Sequence, residues 1–544
     1  MSKLIHNYTF WLLVVACLML FPHLDVIETN IMECRNFISA REMVTKNHWI
    51  LTTLNDLPRY EKPPLPTWIT AISGIIFGFD GIYGMRIPVV LITLLLVFGT
   101  YKLSQKLGLS QKQSFHNGLI LITSFYIYFA GRDNQWDMYT HSFMIVCILF
   151  LWDLLNNSQK PLFNAVMAGL FFGFSFLSKG PISVYALLLP FLIAYGFTYK
   201  FQLKGKKRYL LLILILGLAI GLSWPLYVKY ADPETYLKVT KIESSRWGNY
   251  NTRPFYYYWS FFTQSGIWTV PAFIALLYPY LKNRVSNLKT YQFTLIWTLA
   301  SVVLLSIVPE KKSRYLLPVL IPMALNTGFY IEYLINNFKN IYLKKEKGVV
   351  YFAFGLIVLI CVAIPIAIFF IAKKDISGFE FWFAGLTLSL FVIGYYLFTN
   401  LRNKNFDKVF YSVIAVQVAV IVFGIPFTNL ILKNPDYASA KAIREREKKF
   451  GIKTYELNSF TPEIIWDYGT SMPVLLNGKT NRLNMPVENK FGLLALQADS
   501  VAAKKEFSNY VLKEASYIDL NHVPKTAKKH NVRLTRIYYI VTKK

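Results

Sequence analysis

A charged segment between two long apolar stretches holds the residues best suited to chemistry. It runs from residue 31 to residue 68 and contains the sequence E-K-P-P at residues 61–64. The two prolines restrict the backbone and so direct the side chains that precede them, including that of Tyr60. Glu33 and Arg35 lie near the start of the same segment. We expect the chemistry in this aromatic-bearing loop, held by apolar segments on both sides.

Further ionisable residues recur in other loops that are predicted to lie on the same side of a membrane. They are Arg132 and Asp137 before one apolar segment, Lys179 after another, and Lys311, Lys312 and Arg314 between two more. Ionisable groups near bilayer depth are costly and are functional candidates by default. The cluster at 311–314 opposes the charge bias of the other loops, so it indicates a negatively charged partner.

Simpler structural roles for these residues stay open. Glu33 could form a salt bridge with Arg35 within the loop. Asp137 opens a predicted helix and could cap it. Lys179 could extend its ammonium to the membrane surface, and the 311–314 cluster could bind the headgroups of bulk lipid.

The composition indicates a polytopic α-helical membrane protein. Of the 544 residues, 54% are hydrophobic and 16% are charged, and the mean hydropathy is +0.37. The net charge is +28, but lysine and arginine lie mostly in short loops, which favours topology signals and lipid phosphate over nucleic acid. The four cysteines are scattered and the seven histidines form no HxxxH pair. We therefore expect no disulfide framework and no zinc site.

The apolar segments predict about thirteen membrane-spanning helices, with the N-terminus inside. A span needs about 20 apolar residues; residues 65–79 are apolar but shorter, and predict a helix lying on the membrane surface. We expect a transmembrane domain over 1–433, with a first outer loop at 25–86. The predicted spans are 8–24, 87–105, 116–131, 139–155, 162–178, 181–199, 209–227, 257–281, 290–308, 315–335, 349–372, 380–399 and 408–432.

The composition changes from residue 434 onward. A charged helical pattern at 438–450 is followed by strand-like runs and by a further helical pattern at 498–512, A-D-S-V-A-A-K-K-E-F-S-N-Y-V-L. These features predict a small α/β soluble domain over 434–544. No glycine-rich nucleotide motif follows any of its strands.

Several sequence blocks, in order, resemble one enzyme family. They are E-C-R-N-F-I-S-A-R-E-M-V, L-N-D-L-P-R-Y-E-K-P-P-L, R-D-N-Q-W-D-M, F-L-S-K-G-P and K-K-S-R-Y-L-L-P. Together they resemble the aminoarabinose transferases that modify lipid A. These belong to the membrane glycosyltransferases of GT-C fold, which also include the protein O-mannosyltransferases. The resemblance covers roughly residues 8 to 335.

The resemblance implies inverting transfer of a sugar from a polyprenyl-phosphate donor to a lipid A-like or other envelope acceptor. It implies a multi-pass protein of the bacterial inner membrane, with its active site and C-terminal domain in the periplasm. No cofactor is expected, and the protein is expected to be monomeric among membrane lipids. The implied catalytic acids are Glu33, Glu61 and Asp137. The implied substrate-binding residues are Arg35, Tyr60, Lys62, Arg132, Lys179, Lys311, Lys312 and Arg314.

One position departs from the family pattern. The family has an Asp-Glu pair in the first loop, and here Met32 takes the place of the aspartate while Glu33 remains. We hypothesise that Glu33 carries the catalytic role. Glu61 could instead take the acceptor proton, or the acceptor could be a phosphate, ionised with a second pKa of about 6 and needing no base.

Three other functions stay open at the level of sequence. A protein O-glycosyltransferase would share the fold and the donor. A lipid or solute transporter is disfavoured, because the unusual charges gather at one interface and no paired repeat is evident. A non-catalytic scaffold or sensor is kept open by Met32. No metal ligand set is predicted, and a shared divalent cation among Glu33, Glu61 and Asp137 is undecided.

Overall fold

The structure, a computed structural model, describes residues 7–156, 159–372, 376–431, 434–477 and 482–544. Helices dominate it up to residue 431, and all but two short strands follow that point. The helices are α1 (Tyr8–Leu20), α2 (Ile31–Thr45), α3 (Leu65–Phe77), α4 (Ile82–Lys106), α5 (Gln111–Thr123), α6 (Phe125–Ala130), α7 (Trp136–Asn156), α8 (Pro161–Lys179), α9 (Leu189–Thr198), α10 (Lys207–Ala231), α11 (Pro233–Asn249), α12 (Thr269–Ala275), α13 (Tyr278–Leu281), α14 (Leu288–Ile307), α15 (Leu317–Asn337), α16 (Lys344–Ile371), α17 (Glu380–Arg402), α18 (Phe406–Ala419), α19 (Thr428–Ile431), α20 (Lys441–Phe450), α21 (Pro462–Tyr468) and α22 (Ser500–Glu506).

Short helical turns and eight strands complete the described residues. The turns are π-helical at Val184–Leu188 and Val420–Gly424, and 3₁₀-helical at Phe255–Tyr258, Phe261–Trp268, Ser313–Leu316, Phe338–Asn340, Ile425–Phe427, Gln497–Asp499 and Val532–Leu534. The strands are β1 (Thr53–Leu54), β2 (Leu57–Pro58), β3 (Thr454–Glu456), β4 (Leu476–Asn477), β5 (Arg482–Leu483), β6 (Lys490–Ala495), β7 (Tyr510–Asp519) and β8 (Thr535–Lys543).

The protein is a multi-pass membrane protein. Within the described residues, nine helices are long and apolar enough to cross a bilayer, and three shorter apolar helices accompany them. The number thirteen stays a prediction. The expected span at 257–281 is not one helix but four short helical pieces, because Gly266 adopts a φ of +65° and Pro271 and Pro279 interrupt the sequence. The expected span at 116–131 is likewise broken, with α5 ending at Thr123 and α6 beginning at Phe125.

The chain divides into two compact units. Within the described residues the first comprises 7–26, Tyr60–Pro66 and Arg86–Phe427; the second comprises Ile27–Arg59, Thr67–Met85 and Thr428–Lys544. Most of the first outer loop therefore groups with the C-terminal residues, a long-range association that local sequence patterns do not reveal. The predicted domain boundary at 433–434 stays a prediction.

Close helix packing in the first unit depends on glycine. A Cβ atom on Gly217 of α10 would lie 2.2 Å from a ring carbon of Phe172 on α8, and one on Gly173 of α8 would lie 2.6 Å from Ile220. Small residues let helix backbones approach closely, which is how membrane helices gain packing contacts without a hydrophobic driving force between them. The pair therefore holds the end of α8, and with it Lys179, in a defined place.

The second unit contains a four-stranded sheet in the order β3-β6-β8-β7, with β3 parallel to β6 and the other pairs antiparallel. Buried residues pack on both of its faces, since β8 alternates between two hydrophobic clusters. Ile38 of α2 joins one of these clusters. The helical pattern expected near 498–512 forms only the short α22, because the residues after it extend into β7.

Candidate active site

Tyr60 and Lys62 lie in the first unit beside the end of α10 and the start of α11. The buried Tyr60 hydroxyl donates a hydrogen bond to Asp232 Oδ2 at 3.0 Å. Burial, with the adjacent Asp232 carboxylate, raises the pKa of Tyr60 to about 12. Lys62 Nζ lies 3.7 Å from Glu243 Oε2, while Glu61 is exposed. The segment before the two prolines is therefore held by two acids, Asp232 at the α10–α11 junction and Glu243 within α11.

Asp137 and Lys179 form a largely buried ion pair where α7 begins and α8 ends. One turn further into the bundle, Thr140 Oγ1 donates to the Ser175 carbonyl at 2.9 Å and Ser175 Oγ donates to the Thr140 carbonyl at 2.6 Å. These reciprocal bonds fix the two helices against each other. They also explain why the residues at positions 137 and 179 meet.

Two further cations act on this pair. Arg314 attracts Asp137 electrostatically, and Lys62 is near enough to repel Lys179. The Lys179 ammonium also lies 5.7 Å from the ring centroid of Tyr315. The structure thus brings together four of the predicted residues, with three positive charges around one carboxylate.

The loop before Arg314 is held by pairing with a distant segment. Thr252 and Glu310 form an antiparallel bridge. Glu310 Oε1 accepts a hydrogen bond from Lys312 Nζ at 2.6 Å and another from the Tyr315 hydroxyl at 2.9 Å. The Lys312 backbone N–H donates to the hydroxyl of Tyr258, and burial raises the pKa of that hydroxyl. Lys312 is therefore directed by a carboxylate, and its ammonium lies over the ring of Tyr315 at 5.6 Å.

Two predicted substrate-binding cations instead contact backbone carbonyls. The Arg132 guanidinium is buried and donates to four carbonyls at the end of α1, from Met19 to His23. Lys311 Nζ is also buried and donates to the carbonyls of Arg253 at 3.0 Å and Val308 at 2.6 Å. Both side chains donate hydrogen bonds to carbonyls at the end of a helix or in a loop, where these carbonyls have no partner within a helix. The structure does not bring their charged groups to the Asp137–Lys179 pair.

Glu33 and Arg35 belong to the second unit. Glu33 is fully buried in the first turn of α2, whose start is capped by Asn30. Arg35 is half-buried, and its carbonyl accepts a hydrogen bond from Arg59 Nη1 at 3.2 Å. Their predicted roles stay predictions.

One group of possible metal ligands occurs among the described residues, and its polar atoms have other partners. Glu42, His48 and Asp56 could place ligand atoms within 4.8 Å of one another. However, Glu42 Oε2 accepts a hydrogen bond from Thr53 at 2.6 Å, and Asp56 pairs with Lys46. Burial raises the pKa of Glu42. The group closes the β1–β2 hairpin onto α2, and none of the predicted catalytic acids belongs to it.

Sequence reasoning missed the acids that hold the cations in place. Asp232 precedes a proline and caps α11, accepting from the Thr235 N–H at 3.3 Å. This Asp-Pro signal for a helix start could have been recognised. Glu310 directly precedes the basic cluster at 311–314 and could have been assigned as its counterion. Nothing local indicates the pairing of Glu243 with Lys62.

The fold and this cluster define a polytopic membrane protein with a cationic site at the ends of its helices. The sequence profile of the dolichyl-phosphate-mannose-protein mannosyltransferase family matches residues 61–224. The matched stretch begins at Glu61 and includes Asp137 and Lys179.

Among proteins of this type, the chain is similar to undecaprenyl phosphate-alpha-4-amino-4-deoxy-L-arabinose arabinosyl transferases. The one from Shewanella sediminis is 25% identical over 63% of this chain and 62% of its own length. One from Proteus mirabilis is 25% identical over 54% of this chain and 53% of its own length. The aligned stretch thus spans less than two thirds of either relative.

The likeness in structure extends further than the likeness in sequence. The crystal structure of ArnT from Cupriavidus metallidurans in the apo state matches 98% of this chain and 97% of its own with a TM-score of 0.69, at 15% identity. The structure of the same protein bound to undecaprenyl phosphate matches with a TM-score of 0.67, at 14% identity. The chain therefore has the fold of ArnT along almost its whole length, C-terminal sheet included.

Proposed function

We propose that this protein transfers a sugar from a polyprenyl-phosphate donor to an acceptor in the bacterial envelope. The observation that carries the proposal is the buried Asp137–Lys179 pair with Lys62 and Arg314 acting on it. With Glu243, which pairs with Lys62, two carboxylates stand among three cations, which leaves an excess of one positive charge. The similar transferases name an undecaprenyl-phosphate sugar, and the solved neighbour binds undecaprenyl phosphate. Both agree with a phosphate bound at these cations.

The chemistry follows from the leaving group. The acceptor oxygen attacks the anomeric carbon, and the bond from that carbon to the phosphate oxygen breaks with inversion. Polyprenyl phosphate leaves with the electron pair and so gains negative charge in the transition state. Cations already fixed in place stabilise this charge without reorganising, which is the largest contribution in many enzymes. No cofactor is required by this route.

The three predicted acids take different roles in the proposal. Asp137 holds Lys179 in position and limits repulsion among the cations. Glu61 is exposed in the first unit. Its carboxylate can take the proton from the hydroxyl group of an acceptor that approaches from the solvent. Glu33 remains the alternative base. We further propose that the site, the C-terminal residues and the acceptor lie on the periplasmic side of the inner membrane and that the protein acts as a monomer.

The test follows release of undecaprenyl phosphate from undecaprenyl phosphate-α-4-amino-4-deoxy-L-arabinose by the purified protein. Lipid A and a serine- and threonine-containing peptide serve as acceptors in separate reactions. The double variant D137N/K179Q replaces the ion pair by neutral groups of similar size. Removing both partners avoids the unpaired buried charge that a single substitution would leave. We expect its rate to fall by about a hundredfold or more, because one fixed cation is lost from the transition state.

A matched control lies at the opposite end of the same helix. Lys106 Nζ and Asp153 Oδ1 form an ion pair at 2.6 Å, with Asp153 near the end of α7. The variant K106Q/D153N removes the same charges and should keep full activity. Equal rates for the two double variants would overturn the proposed site. If undecaprenyl phosphate were released with neither acceptor, the proposed donor class would be wrong. Transfer to the peptide alone would favour the protein O-glycosyltransferase.

A further inference from the structure

A cleft in the second unit is lined by an excess of positive charge. Its volume is about 760 Å³, within the range of about 300–1,000 Å³ of small-molecule sites. Every residue that lines it belongs to this one unit. Six arginine and lysine side chains but only four carboxylates face it. None of the residues that line the cleft is among those named for the proposed transfer site.

Three of these cations share one face of α20. Lys441, Arg444 and Lys448 stand three and four residues apart, a spacing that places them side by side on a helix. In the part of the chain that the structure describes, none of the three forms a salt bridge. Ordinary surface helices alternate charges or pair them along such a face. This face instead presents to the cleft three cations that form no salt bridge within the described residues.

Three of the four carboxylates that line the cleft are engaged by other groups, among them Glu28, whose Oε2 lies 3.5 Å from His522 Nε2; the fourth, Asp80, attracts Arg41. Both oxygens of Glu463 accept hydrogen bonds from Arg533, at 2.5 and 2.8 Å. Asp467 Oδ2 accepts from the Ser439 hydroxyl at 2.7 Å and the Ala440 N–H at 2.6 Å. These acids order the walls of the cleft and do not neutralise α20.

A fourth cation adds to the excess from the opposite wall. Arg41 is almost fully buried, donates to the Ile465 carbonyl at 3.2 Å and lies 5.5 Å from the ring centroid of Trp466. Burial lowers the pKa of Arg41 to about 10; the positive charge of Arg444 lowers it further, while the carboxylates of Glu42 and Asp80 act in the opposite direction. Two guanidinium groups that repel each other across a cleft are stabilised by an anion between them.

Aromatic and amide side chains line the rest of the cleft. Tyr437 exposes 41% of its surface and lies 4.9 Å from the His522 ring, while Trp466 and Asn521 line the wall nearby. A flat ring offers apolar area to the C–H face of a sugar, whereas the Asn521 side chain already bonds to Asp519 and Asn531 and so shapes the wall. We propose that this cleft binds a phosphorylated saccharide, with Lys441, Arg444 and Lys448 on the phosphate and Tyr437 on the sugar.

Binding is tested on the full-length protein in phosphatidylcholine nanodiscs by calorimetric titration, without any donor. Its failure would therefore leave the proposed transfer untouched. The probes are glucosamine 1-phosphate and, for comparison, glucosamine. The variant K441Q/R444Q/K448Q should weaken binding of the phosphorylated probe at least tenfold. The matched control, K449Q/K504Q/K505Q, removes three exposed charges of the same unit that do not line the cleft, and should bind like the unaltered protein.

A second comparison separates the sugar from the phosphate. The variant Y437L should weaken the binding of glucosamine 1-phosphate several-fold and leave the binding of inorganic phosphate unchanged. Nanodiscs that contain a phosphorylated glucosamine glycolipid distinguish a lipid headgroup from a soluble phosphosugar, and binding in either form supports the site. Equal affinity of the unaltered protein and the α20 triple variant would overturn the proposal, as would equal affinity for glucosamine with and without phosphate.

Discussion

Asp519 holds the loop that forms one wall of the cationic cleft. Its buried carboxylate accepts hydrogen bonds from the Asn521 N–H at 2.9 Å, the Asn521 side chain at 2.8 Å and His530 Nε2 at 3.1 Å. Burial alone would raise the pKa of Asp519, but these donors outweigh it and hold the pKa below the ordinary value of 3.8. A depressed carboxyl pKa stabilises the folded state above the unfolded-state pKa, and this contribution is lost as the pH falls through the folded-state pKa.

The variant D519N should therefore lose loop stability at neutral pH but not in acid. The expected loss is about 1–3 kcal/mol, because the amide keeps only one acceptor oxygen, carries no charge and presents an NH2 group in place of the other oxygen. Hydrogen exchange of the amides at 520–531 measures it, and the difference between the two proteins should shrink below about pH 4. A difference that is the same at pH 3 and pH 7 would show that charge on Asp519 is not involved.

At this scale the sequence identifies charged residues but not their partners. Asp137, Lys179 and Arg314 are distant in sequence, yet their placement at loop ends was enough to predict a shared region. Arg132 and Lys311 had the same signal and contact backbone carbonyls instead. Whether such a cation contacts a carboxylate or a backbone carbonyl depends on which helix and loop ends lie next to it, and this is decided by tertiary packing. No residue pattern encodes it locally.

At the scale of elements, the pair α8–α10 sets the position of Lys179. Gly217→Ala would place a methyl group about 2.2 Å from the ring of Phe172, so the helices must separate. Overpacking of this kind costs about 1–3 kcal/mol, and we expect the thermal unfolding midpoint of the purified protein to fall by several degrees. The proposed transfer rate should fall with it, since Lys179 moves with α8.

Gly355→Ala is the matched control for that change. Gly355 also lies inside a membrane-spanning helix, α16, but a Cβ atom there meets nothing within 4 Å. Alanine favours a helix over glycine by about 0.5–1 kcal/mol, so the midpoint should stay or rise. If both substitutions lowered the midpoint equally, helix flexibility rather than the α8–α10 contact would be responsible.

Element boundaries followed from the sequence where one signal dominated. Long uniform apolar runs predicted the bounds of α10, α16 and α17 to within a few residues. The membrane span predicted at 257–281 was wrong because hydropathy does not register Gly266, whose positive φ breaks the helix. Similarly, the helix expected near 498–512 ends early because pairing of β7 with β8 outweighs local helix propensity.

At the scale of the whole molecule, the proposal requires the site to face away from the cytoplasm. Helix α10 has 25 residues, about 37 Å at 1.5 Å per residue, enough to cross a bilayer. Lys204 precedes it and Lys238 follows it, both exposed. The Tyr60–Asp232 hydrogen bond places the catalytic segment at the Lys238 end. Sidedness of these two lysines therefore reports the sidedness of the site.

Cysteine labelling with a membrane-impermeant maleimide measures this directly. In intact cells K238C and E61C should react, whereas K204C should react only after permeabilisation. The unaltered protein is the background control, since three of its four cysteines are buried and Cys17 lies half-buried within α1. The positive charge of the loop at 200–208 favours this orientation, because short basic loops stay in the cytoplasm. If K204C alone reacted in intact cells, the cationic site would lie on the cytoplasmic side. A periplasmic acceptor could not reach it, and the proposed function would be wrong.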